Sequence, residues 1–164
     1  MDWINKEDVP AGRDVTYASF VFDHRPLKTE QYRCRLVVGG DKLSYYKDAS
    51  SPAASLLETK LLINSVISDS HDGAKFMSAD LKDFFLSSPM SRPEYMRIQW
   101  KHIPDDIRQR YNLFQLLTDD GYIYVKIKKG MYGLKQAAIL AYQQLEAFLK
   151  PAGYHPIPHT VGLW

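Results

Sequence analysis

Strict alternation marks the first element. Residues 15–23 (VTYASFVFD) are rich in β-branched and aromatic side chains, a polar turn follows at 26–30, and in residues 31–38 (QYRCRLVV) Tyr32, Cys34 and Leu36 alternate with Arg33, Arg35 and Val37. Period-two alternation on both sides of a short polar turn predicts a β-hairpin with one polar, basic face. Gly39-Gly40-Asp41 ends the second strand and opens a loop carrying Tyr45, Tyr46 and Lys47. Ser51-Pro52 then offers a capping hydroxyl and a proline at a first helical position, and the run to Ile67 carries Leu56, Leu57, Leu61, Ile63 and Ile67, so a helix is expected there.

After the polar break 69–73, the apolar stretch 74–80 (AKFMSAD) reads as a buried strand ending in Asp80, with a short turn or helix through residues 82–88. Residues 94–100 alternate as a strand, and 103–111 predict a short helix with Asp105 and Asp106 in its first turn. Residues 114–117 and 122–128 flank Asp119-Asp120-Gly121, a hairpin signal. Leu134, Ala137, Ala138, Ala141, Leu145, Phe148 and Leu149 keep the helical period, and Pro151-Ala152-Gly153 stops it. Strands and helices in this irregular order predict an α+β fold, an antiparallel sheet with helices packed on one face.

Composition narrows the class. At 164 residues the chain is long enough for one domain with a real core. With 45% hydrophobic and 24% charged residues it has the make-up of a globular protein, which excludes a disordered or collagen-like chain. One cysteine, Cys34, excludes an internal disulfide and fits a reducing compartment. No apolar run approaches a bilayer's thickness and no signal-like leader opens the chain, so a soluble intracellular protein without membrane contact is expected. A net charge of only +2 means that nucleic-acid contact needs local clustering. Lys126, Lys128, Lys129 and Lys135, interleaved with Tyr122 and Tyr124, form one such run; it suits phosphates and stacked bases, and equally a solvated strand face.

The segment 76–90 (FMSADLKDFFLSSPM) carries the sharpest candidate chemistry. An apolar strand ending in a carboxylate sets Asp80 at a sheet rim, where a hard cation is held by carboxylate and carbonyl oxygens; the same residue also serves as a plain turn cap.

Asp80-Leu81-Lys82-Asp83-Phe84-Phe85, an Asp with an aromatic five residues on, resembles the first catalytic motif of reverse transcriptases. Met131-Tyr132-Gly133-Leu134-Lys135-Gln136-Ala137 is similar to the (Leu/Met)-Tyr-Gly-Leu-Lys-Gln signature of copia-type retrotransposon polymerases, in the family's order and at about its spacing. Tyr32-Arg33-Cys34-Arg35-Leu36-Val37 resembles the family's fingers strand, Ser51-Pro52 its fingers-to-palm entry, and Tyr95-Met96 the strand after the first motif.

The resemblance implies a right-hand polymerase fold of fingers hairpin and partial palm, with residues 1–14 as a tail and 15–164 as the domain. It implies that Asp80 and the Leu81 carbonyl hold catalytic Mg²⁺, that Phe85 sits under the sugar and selects deoxynucleotides, and that Arg33 and Arg35 grip the triphosphate, their register open. Tyr132 and Gly133 would line the nucleotide and template pocket, with Lys126, Lys128 and Lys135 near the nucleic acid. Its partners would be an RNA or DNA template-primer and deoxynucleotides. The family's third motif, Asp-Asp on a hairpin, lies downstream of the Tyr-Gly-Leu-Lys-Gln helix, whereas this sequence ends at Trp164. The expectation is therefore a truncated fragment, inactive alone, whose site a partner chain or a downstream palm segment completes. A sheet with an unpaired edge and an apolar patch near Met77, Ala79 and the helix 134–149 should accompany it. Asp119-Asp120-Gly121 precedes the signature, out of family order, and reads as an exposed turn. His155 and His159 are separated by Pro156 and Pro158, which favours surface histidines over metal ligands. Two rivals remain: a non-catalytic nucleic-acid-binding or interaction remnant of the same ancestry, and an unrelated α+β domain in which Asp80 is only a cap.

Overall fold

A computed structural model describes residues 1–77, 80–160 and 162–164. Five strands form one curled sheet in the order β1-β5-β4-β2-β3: β1 (Asp2–Ile4), β2 (Val15–His24), β3 (Tyr32–Val38), β4 (Pro89–Gln99) and β5 (Tyr122–Lys129). The helices are α1 (Leu56–Ser68), α2 (Phe84–Ser87), α3 (Asp105–Arg110) and α4 (Ala137–Leu149). The mixed α+β class follows the expectation. The sheet is not wholly antiparallel, because Val15–Tyr17 of β2 run parallel to Tyr95–Arg97 of β4. A parallel pair needs a long crossover, and residues 25–88 supply one.

The hairpin is as expected: β2 pairs with β3 from Ala18↔Val38 to His24↔Tyr32. β2 therefore serves two partners, β4 through its first three residues and β3 through the rest. β4 and β5 pair antiparallel with Met96 opposite Val125 and Ile98 opposite Ile123. Alternation turns Met96, Ile98, Ile123, Val125 and Ile127 into the core with Val38, Leu43, Ile103, Leu113 and Leu134. The opposite face carries Tyr95, Arg97, Tyr122, Tyr124 and Lys126. Tyr95 is nonetheless buried, with the Arg13 guanidinium over its ring, and Arg13 also pairs with the buried Glu94 at 3.0 Å.

Several expected boundaries move. Residues 74–77 form no strand, and Phe76 and Met77 are exposed. Both sides of β4 are already taken by β5 and β2, so no central edge is free to receive them. Ser78 and Ala79 of that expected strand lie outside the described residues. The first helix starts at Leu56 and not at Ser51-Pro52: Ser55 Oγ accepts from Glu58 N–H at 3.3 Å while the Glu58 carboxylate takes Ser55 N–H. This reciprocal capping box satisfies two otherwise orphaned donors, which a lone proline does not. Residues 134–136 form a turn ahead of α4.

Asp119-Asp120-Gly121 is a tight turn with Gly121 at φ +78°, as read. Its upstream arm, however, is a 3-10 turn, Leu113–Leu116, so 114–117 is not a strand. β5 finds its antiparallel partners in β4 and in β1, a strand within the supposed tail. Trp3 of β1 packs against the core, and its ring lies 6.1 Å from Tyr111.

The tightest packing joins the end of β3 to residues 130–136. Val38 N–H donates to Tyr132 O at 2.8 Å. Gly133 has φ +93°, and a Cβ on it would collide with the Val38 carbonyl; a Cβ on Gly40 would collide with the Gly133 carbonyl. Met131 and Leu134 enter the core, Lys135 Nζ donates to Leu43 O at 3.0 Å, and buried Gln136 donates to Glu94 Oε1 at 3.4 Å.

α1 is the exception to compact packing. None of its residues is buried, and Leu56, Leu57, Leu61 and Ile67 are each more than half exposed. Of the expected patch, Met77 and Phe148 are exposed, Leu134, Ala137 and Ala141 are buried in the core, and Ala79 lies outside the described residues; α1 adds an exposed apolar face that was not expected.

Two stability measurements follow. Gly133→Ala should cost about 2–5 kcal/mol in urea unfolding, combining roughly 1–2 for left-handed backbone with an overpacking term of about 1–3. A loss below about 0.5 kcal/mol, the level of a neutral surface change, would show that the joint is not formed. Leu61→Ser on α1 should stay within about 0.5 kcal/mol of wild type, because it empties no packed space.

Candidate nucleotide-binding site

The joint between β3 and residues 130–136 creates a cleft of about 410 Å³. Its walls are Arg33, Cys34, Arg35 and Leu36 from β3, Asp83 and Leu86 around α2, and Ile127, Lys129, Gly130, Met131 and Tyr132 from β5 and the turn after it, with Met1 at the side. Each wall has a local cause. Arg33 and Arg35 are two apart on a strand and share a face. Lys129 ends β5 on the face opposite Lys128. Gly130 is a close-approach position: its N–H donates to Ser88 O at 2.8 Å, and a Cβ there would collide with the Phe85 carbonyl, so α2 lies directly against the end of β5.

Arg33 and Arg35 both line the cleft, as do Cys34 and Leu36 of the other parity. Arg35 stands 6.0 Å over the Tyr132 ring and 4.0 Å from Asp23, which leaves its guanidinium only loosely paired. Phe85 meets the other reach of Tyr132, with ring centroids 5.9 Å apart and tilted 47°. Asp83, at φ +53°, is the one carboxylate lining the cleft, opposite three cations. Gly133 acts as the backbone hinge that lets Tyr132 approach β3.

Other expected residues fall elsewhere. Asp80 and Leu81 are exposed, outside any strand, and do not line this cleft. The rim position expected for Asp80 is absent because 74–77 join no sheet. Among the described residues no group of three His, Cys, Asp or Glu side chains converges as metal ligands. The residues described thus do not fit the Mg²⁺ that the resemblance implies, and no chemical step is derived through it.

The lysine run is not one surface. Lys126 and Lys128 point to the outer face, Lys129 into the cleft, and Lys135 is committed to Leu43 O. Lys128 is paired with Asp2. Tyr124 is buried, and Tyr122 lies under the Arg97 guanidinium at 4.3 Å, so neither ring is open for base stacking. Arg97 also stands 3.8 Å from Asp120, whose carboxyl is held below its usual value chiefly by the Thr118 hydroxyl. The outer face is largely self-neutralised, whereas the cleft concentrates cations.

Lys129 and Asp83 belong to the site more firmly than their sequence neighbourhoods indicate. For Lys129 the signal was parity along β5; for Asp83 it was position, two residues before Phe85.

The chain matches no family model, no curated protein and no solved structure. No helix among the described residues is long and apolar enough to cross a membrane.

The Asp2–Lys128 pair gives a pH handle. The hydrogen bond from Lys128 holds the Asp2 carboxyl below its usual 3.8. A depressed folded-state carboxyl stabilises the fold fully above the unfolded value and loses that contribution as pH falls through the depressed one. Between pH 7 and about 5 the pair should contribute constantly, fading below about pH 4. An NMR carboxyl titration should show Asp2 moving up to its usual value in Lys128→Met; an unchanged midpoint would refute the pairing.

Proposed function

We propose that this chain carries the nucleotide-gripping part of a copia-type reverse transcriptase, in which the cleft takes the polyphosphate of a deoxynucleoside triphosphate. The observation that supports the reading is convergence. Arg33, Arg35, Phe85 and Tyr132 come from three separate segments, each nominated by its resemblance to that family; Arg33, Arg35 and Tyr132 line one cation-rich cleft, and Phe85 packs on the Tyr132 ring beside it.

In this reading the forked guanidinium groups of Arg33 and Arg35, together with Lys129, bind phosphate oxygens through charge-assisted hydrogen bonds. The Tyr132 ring, held by its own backbone bond to Val38, forms the floor. Phe85 beside it presents a flat apolar edge to the sugar, a place where a 2′-hydroxyl would lose its water without gaining a partner. The template-primer runs past the same joint, and the catalytic metal pair with its remaining carboxylates comes from residues beyond those that line the cleft.

A second reading has its own support. The cleft gathers cations with a single carboxylate, and among the described residues no metal-binding group converges. That arrangement suits a module that binds polyphosphate or nucleic acid without chemistry.

Equilibrium binding of a fluorescent deoxynucleoside triphosphate tests the shared core of both. Arg33→Ala and Arg35→Ala should each weaken binding about 10-fold or more, the equivalent of about 1.5–3 kcal/mol per lost charged hydrogen bond. Lys126→Ala should change it less than 2-fold. Equal losses at Lys126 and Arg35, or no wild-type binding at low salt, would remove the cleft as the site. Primer extension by this chain alone is expected in neither reading, and robust extension would overturn the fragment; a preference for the deoxynucleoside over the ribonucleoside triphosphate that Phe85→Ala removes supports the polymerase part, and equal affinity for both supports the module.

A further inference from the structure

We infer that β1 is a displaceable strap across the arginine cleft, whose release raises the cleft's affinity for polyphosphate; the inference rests on the polyphosphate reading of that cleft. A second cleft, apolar and of about 320 Å³, is lined by Trp3, Phe20, Ile98, His102, Ile107 and Tyr111 among others. Met1 and Leu36 line both cavities. The two are therefore neighbours that share Leu36 of β3 and Met1, the residue just before β1. Moving β1 away joins them into one groove.

β1 is held by little. Its pairing with β5 spans three residues, Asp2↔Lys126, Trp3↔Val125 and Ile4↔Tyr124, against seven for β2 with β3. It lies at the sheet edge, where no further strand backs it. Its side-chain anchors are the half-exposed ion pair of Asp2 with Lys128 and Trp3, which packs on the core beside Tyr111. A short edge strand with a solvent-screened ion pair is the type of element that opens locally while the rest of a domain stays folded.

Electrostatics gives the release a direction. The Asp2 carboxylate neutralises Lys128, and Lys128 adjoins the cleft residue Lys129 in sequence. Their side chains leave β5 on opposite faces, so Lys128 acts on the cleft through the strand and not by contact with Lys129. Releasing β1 takes the Asp2 carboxylate away from Lys128 on the outer face, and it takes Met1, the residue before β1, off the cleft wall. Both changes favour a polyanion.

Inorganic tripolyphosphate is the probe, with the full chain in each case. Asp2→Asn cuts one anchor, and Trp3→Ala cuts the other without changing charge. Amide hydrogen exchange at residues 124–126 reports whether β1 has left β5. Each variant should exchange faster there and bind tripolyphosphate at least 3-fold more tightly by calorimetry. Faster exchange with unchanged or weaker affinity would overturn the inference, as would exchange that neither substitution accelerates. Should Trp3→Ala unfold the chain, Asp2→Asn decides alone. A wild type that fails to bind tripolyphosphate, or binds it equally after Arg35→Ala, defeats the polyphosphate reading itself, whereas normal Arg35-dependent binding that ignores β1 defeats only the strap.

Discussion

The contact of backbone on backbone between Val38-Gly39-Gly40 and Tyr132-Gly133 decides the rest of this structure. Hydrophobic side chains bring β3 near the turn after β5, but only the absence of Cβ atoms at Gly40 and Gly133 lets the two chains close to hydrogen-bond distance. Once closed, the joint fixes the hairpin relative to the sheet, hangs Tyr132 over the strand that carries Arg33 and Arg35, and puts Lys135 within reach of the Leu43 carbonyl. A motif that reads as functional in sequence is largely architectural in its atoms. Gly130, Met131, Gly133, Leu134, Lys135 and Gln136 each have a structural task, and Tyr132 lines the cleft together with Gly130 and Met131.

Legibility followed locality. The hairpin of β2 and β3, the strand at 94–99, β5 and most of α4 were written in period-two or helical alternation, which depends on neighbours in sequence. The strand expected at 74–80 failed because apolar content says nothing about whether a sheet has a free edge. β1 escaped notice because three residues cannot display a period, and the parallel pairing of Val15–Tyr17 with β4 is decided by the crossover and not by either strand. The start of α1 was legible in principle, since Ser55-Leu56-Leu57-Glu58 is a capping box; the more conspicuous Ser51-Pro52 drew the boundary too early.

The site divides in the same way. Arg33 and Arg35 were legible as a pair because residues two apart on a strand share a face, and strand parity decides between Lys128 outside and Lys129 inside. Nothing local announces that the Phe85 ring meets the Tyr132 ring, which depends on Gly130 admitting α2 against the end of β5. Charge balance completes the contrast. On the outer face Arg13, Arg97 and Lys128 each have a carboxylate partner, so that face has little long-range field. In the cleft, two arginines and a lysine face one aspartate.

The division of β2 between two partners makes the hairpin a lever. Its fulcrum lies near Ala18, where pairing passes from β4 to β3, and the joint at Gly133 clamps the short arm. Six residues of strand beyond the fulcrum reach about 20 Å, so a tilt of about 10° there sweeps the far end through roughly 3.5 Å. Arg35 and Arg33 ride at successive distances along that arm and would travel unequally, one turning about the Tyr132 ring while the other swings more widely. The width of the cleft is in this sense a mechanical variable, set by how firmly two glycines hold one end of a beam.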